Sequence, residues 1–114
     1  MANDFKRFCV PSVGTSNTTL YTVPGSSKES IVIGITMANK SNSGITGSIF
    51  IDNEDGSNDV FIVKDASIPA GSSLEVMSGN KLVLQNDGSN ADVLEGIASA
   101  TSSLDITVSV LEDV

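Results

Sequence analysis

The chain has no histidine and no tryptophan, one cysteine and one tyrosine, and few cations to set against its acids. Lacking histidine, it is without the commonest general base and the commonest metal ligand. With Cys9 alone, no internal disulfide can form, so stability must come from packing, and the thiol reads as an apolar filler. Six Lys and Arg stand against fourteen Asp and Glu, a net charge of −8. That field repels phosphate backbones, and Lys6-Arg7 is the only adjacent basic pair, so nucleic acid is not an expected partner. No run of apolar residues approaches the ~18 needed to span a bilayer as a helix, and residues 1–7 lack the apolar core of a signal peptide, so no membrane partner is expected. Serines are plentiful, but none has a visible activating base or a Ser-x-x-Lys motif, and no glycine-rich loop opens onto a helix. The residue types therefore argue against an enzyme, and no cofactor is expected.

What is present is alternation. In residues 30–39, Ile31, Ile33, Ile35 and Met37 fall on every second position. After a polar turn, Ile45, Ile49 and Ile51 share one parity, with Gly47 in the missing place. A strand sends alternate side chains to opposite faces, so each arm can present an aliphatic row to a core. A helix here would carry Gly34, Gly44 and Gly47 in its interior at about 1 kcal/mol each. Residues 30–52 are thus expected to form an antiparallel hairpin.

Further short strands are expected at 18–23, 60–64, 74–77, 81–85, 93–100 and 104–110, separated by polar or Pro-Gly turns. In the last, Leu104, Ile106, Val108 and Val110 form the inner row. About eight short strands without a substantial helix predict an all-β antiparallel sandwich, jelly-roll-like. Truncating Ile33 or Val108 to alanine should then cost about 2–4 kcal/mol. Residues 1–18 read as an extended N-terminal arm preceding a sandwich domain at 19–114. Its Phe5, Lys6, Arg7 and Phe8 are the candidate partner-binding residues, because aromatics concentrate at interface centres.

Asp52, Glu54, Asp55 and Asp59 place carboxylates close together, as calcium requires, but their spacing fails the EF-hand pattern at its glycine and at its closing glutamate. A solvated turn is the expectation, with calcium the weaker alternative.

Several phrases carry a resemblance: the opening residues 1–8, the segment 19–24, residues 33–39, the turn 68–74, the strand 81–84 and the closing 109–112. Over nearly the whole chain they resemble small all-β virion structural proteins of tailed bacteriophages, in particular those infecting marine cyanobacteria. The longer stretch at 90–101 departs from that pattern and leaves the strand before the last without a firm register. The resemblance implies a non-enzymatic virion component, assembled in the host cytoplasm. As an accessory or decoration protein of the capsid, neck or tail, it would contact other virion proteins and further copies of itself through the arm and the sheet edges. A −8 protein suits the particle's exterior better than its DNA-filled interior. A host- or carbohydrate-binding module displayed on the virion is the alternative, with Tyr21, Phe50 and Phe61 the only aromatics outside the arm to form a sugar platform.

Overall fold

The structure, a computed structural model, describes residues 3–24, 29–52, 59–77, 81–86 and 91–113. Among them the chain forms nine strands and no helix: β1 (Asn3–Val13), β2 (Thr18–Thr22), β3 (Glu29–Asn39), β4 (Ile45–Asp52), β5 (Asp59–Ile68), β6 (Ser73–Glu75), β7 (Leu82–Gln85), β8 (Val93–Ala98) and β9 (Leu104–Asp113). They pair antiparallel in nested fashion: β4 with β5, β3 with β6 and β7, β2 with β8, β1 with β9. This is one long folded-back ribbon, rolled so that β9 also pairs with β3 and β8 with β4. The first sheet has the order β1-β9-β3-β6, with β7 beside β6 on the same edge of β3, and the second has the order β2-β8-β4-β5. That arrangement is a jelly roll, as the strand count and spacing led us to expect.

The core lies between the sheets. Leu104, Ile106, Val108 and Val110 of β9 are each 1% exposed or less, so the inner row expected of the last strand is the inner row observed. Two glycines let the sheets close on it. A Cβ on Gly47 would meet Met37 Sδ at 3.0 Å, and one on Gly96 would meet Ile106 Cδ1 at 2.9 Å. The gap in the β4 alternation at Gly47 is therefore space taken by side chains from the opposite sheet.

Three expectations give way to the structure. First, β3 and β4 are not a hairpin. They belong to different sheets, and residues 40–44 turn the corner between them. Neighbours in sequence pair more often than not, but rolling the ribbon sends these two apart. Asn39 holds the corner: its Nδ2 donates to Ser43 O at 2.8 Å and Ile68 O at 2.9 Å, and its Oδ1 accepts from Ser41 N at 2.9 Å.

Second, the apolar parity of β3 does not run unbroken. Its register on β9 shifts between Val32 and Gly34. Val32 points inward before the bulge, Ile35 and Met37 after it, while Ile33 is left 39% exposed. Third, residues 3–13 are not an arm apart from the sandwich but its edge strand, paired along β9. Phe8 and Val10 pack on the core and Val13 is buried. The strand was hidden because Phe5 and Cys9 point outward while Lys6 points inward, which scrambles the alternation. At its end Ser12 takes a positive φ of 58°. There Asp105 Oδ1 accepts from the Ser12 amide at 2.9 Å and pairs with Lys40 Nζ at 2.9 Å.

Candidate assembly surface

The outward side of the first sheet follows from the inward side. Because Val110 and Val108 face the core, Leu111 and Ser109 face out. The register sets Phe5 opposite Leu111, Leu111 opposite Ile31, and Ile31 opposite Val83. One cross-strand row is therefore apolar from β1 to β7, spanning three strand spacings of about 4.8 Å each. Phe5 is 75% exposed and Val83 55%, with Leu111 and Ile31 half-buried between them. Ile33, released by the bulge, extends the row toward Arg7. Phe5, Arg7, Ile33 and Ser109 rim a shallow recess of about 260 Å³. A second recess of about 350 Å³ continues along the same strand pair, lined by Cys9, Pro11, Asp105 and Thr107 among others. A contiguous apolar surface of this kind on a strongly charged domain marks a contact site more often than a solvated face.

The four residues expected to bind a partner divide between the faces of β1. Phe5 and Arg7 are outside and exposed. Arg7 forms no ion pair with another described residue. Lys6 and Phe8 are on the underside: Lys6 Nζ lies 3.4 Å from Glu112 Oε1, and the Phe8 and Tyr21 ring centroids are 5.0 Å apart. Glu112 is 2% exposed and accepts the Tyr21 hydroxyl proton at Oε2 across 2.5 Å. The Tyr21 oxygen sits 2.7 Å from Ser30 Oγ, and since its own proton is committed to Glu112, Ser30 is the donor there. Burial, and then the bond to Glu112, push the Tyr21 phenol well above the usual tyrosine range. This buried cluster joins β1, β3 and β9 of one sheet to β2 of the other, and it braces β1 from beneath. Sequence reasoning did not find it. Glu112 ends an otherwise apolar alternation, which was its only signal.

The outward face of the second sheet is different. Phe50 and Phe61 face each other across β4 and β5 with centroids 5.2 Å apart, and Lys64 Nζ lies 5.1 Å from the Phe61 ring centre. Phe50 is buried, whereas Phe61 is exposed. Asp52 and Asp59 stand opposite each other in the same ladder, and Glu95 pairs with Phe50 from β8. Burial, then the charges of Asp52 and Asp59, raise the Glu95 carboxyl above its ordinary value. Of the four clustered carboxylates that could suit calcium, Asp52 and Asp59 are brought together, while Glu54 and Asp55 lie outside the described residues. Among the described residues no group of three or more His, Cys, Asp or Glu could hold a metal ion.

The sequence matches no protein-family model and no curated protein. The fold has solved counterparts. A chain of the disulfide-linked pili that form Bacillus endospore appendages is 10% identical at a TM-score of 0.57, over 98% of this chain and 88% of that one. A chain of the acid-stable capsid of the Helicobacter pylori bacteriophage KHP30 is 10% identical at a TM-score of 0.51, over 100% and 89%. The Drosophila NLP core, characterised for pentamer formation and histone binding, is 7% identical at 0.51, over 99% and 98%. At these identities the likeness is one of fold.

Proposed function

We propose that this chain is a non-enzymatic structural component of a bacteriophage particle. In this reading it is an accessory or decoration protein on the capsid, neck or tail that works through protein–protein contacts. The observation that carries the proposal is the outward row Phe5–Leu111–Ile31–Val83, an apolar stripe across a sheet of a protein with net charge −8. Water disfavours such a row, and covering apolar area contributes about 25 cal/mol per Å². The phage-protein resemblance of the sequence supports the same reading, and the jelly roll, shared with a phage capsid chain, is compatible with it. Phe5 and Arg7 supply the contact, while Lys6 and Phe8 fix the strand that presents them.

The carbohydrate-binding alternative needs an open aromatic platform. Tyr21 and Phe50 are buried, and Lys64 stands near the ring of Phe61, so nothing observed favours it.

The test is co-sedimentation of tagged protein with particles of its phage. Removing β1 altogether would bare the inner row of β9, so a point variant is the sharper probe. Wild type should sediment with particles. Phe5→Asp, whose side chain is already in solvent, should melt like wild type and stay in the supernatant. Particle binding by Phe5→Asp equal to wild type would overturn the assignment of the surface, and no binding by wild type would overturn the role.

A further inference from the structure

The two outward faces are each incomplete in a complementary way. On the first sheet, Arg7 stands among Phe5 and Ile33 with no ion pair to another described residue. On the second, Glu95, Asp52 and Asp59 gather beside Phe61, which is 44% exposed. No described cation lies within ion-pair distance of these three; the described ion pairs are Lys6–Glu112 and Lys40–Asp105. We propose that a second copy of this chain docks the outer face of its second sheet onto the outer face of the first, seating Arg7 against Glu95, Asp52 and Asp59 and the Phe5–Ile33 ridge against Phe61. The proposal deepens the assembly reading above and rests on it.

A second copy is favoured over another partner because both halves of the match are present on one polypeptide. Two identical faces fit less well. Packing second sheets together would oppose two sets of carboxylates, and packing first sheets together would leave those carboxylates without a cation. Opposite faces of one sandwich meeting head to tail make a heterologous contact, which closes into a ring or continues as a filament. The area suffices: a standard interface needs about 800 Å² from each partner, and the larger dimensions of the molecule are 45 and 28 Å. The Glu95 carboxyl is raised first by burial and then by the charges of Asp52 and Asp59, and an arriving guanidinium would offset the second of these.

The test is sedimentation velocity of the full chain over a wide concentration range, with Arg7→Glu, Glu95→Arg and the double charge swap. Wild type should associate with concentration, and less so at high salt. Each single variant should weaken association at least about tenfold, while the double swap should recover most of it. Should Glu95→Arg melt below wild type, Glu95→Gln serves in its place and should weaken association in the same direction. A monomeric wild type, or a Glu95 variant that associates unchanged, would overturn the contact, as would a double swap no better than the singles. If the protein stays monomeric but still sediments with particles, the self-contact is wrong and the structural role stands.

Discussion

Strands β3 and β9 lie side by side in the first sheet, yet they meet the core by different rules. β9 alternates without a break, with Leu104, Ile106, Val108 and Val110 inward. β3 changes parity at its bulge, so Val32 and Ile35 are both buried although they are three residues apart. The consequence reaches beyond packing. A strand in strict alternation could not have put Ile33 on the same side as Ile31, half-buried in the outward row, while keeping Ile35 in the core. The bulge makes one strand serve as core and as outward apolar surface.

That contrast can be broken within β3 itself. Ile35→Ala removes a fully buried side chain and should cost about 2–5 kcal/mol, read from denaturant melts. Ile33→Ala, at 39% exposure, should cost less than about 1 kcal/mol. Equal losses would mean the bulge is misplaced. The interior of β8, where Gly96 faces Ile106 of β9, gives the next effect. Gly96→Val inserts atoms where a Cβ already meets Ile106 Cδ1 at 2.9 Å. It should destabilise by about 1–3 kcal/mol.

The polar end of the interior sharpens the comparison between the sheets. Tyr21→Phe leaves Glu112 and Ser30 buried without the phenol, a loss of about 1–3 kcal/mol. Because Tyr21 is the only tyrosine, phenolate absorbance reports it alone. Its folded value is raised, so its contribution is whole below the unfolded value near 10 and is lost as pH climbs above it. Phenolate should therefore appear only together with alkaline unfolding, and ionisation near pH 10 in the folded protein would contradict the buried bond. The smallest effect belongs to Asp105, held below the usual carboxylate range by its hydrogen bond with Lys40 and by the Ser12 amide. It favours folding above that range and ceases to as pH falls through its lowered value. Both partners are well exposed, so Asp105→Asn should cost no more than about 1 kcal/mol at neutral pH, and nothing in strong acid.

Strands whose two faces differ in polarity were legible. β9 is the clearest, and β2, β4 and β8 carry their turns in plain view. β1 was not legible as a strand, because an inward Lys6 and an outward Phe5 cancel its alternation; both exceptions have reasons, the buried Glu112 and the outward row. The pairing of β3 with β9 was not legible either, since residues some 75 positions apart must be joined and the adjacent β4 looked the natural partner. Phe5 and Arg7 could be singled out by residue type, but the row they belong to exists only once four strands are in register.

Cys9 offers the most direct measurement, being the only cysteine, exposed, and on the outward side of β1 beside the same row. If the outer face of the first sheet is what assembly covers, its thiol should react with a bulky maleimide several-fold more slowly in assembled protein than in free protein. Equal rates in the two states would show that face still open to solvent, and the contact surface would have to be sought elsewhere on the molecule.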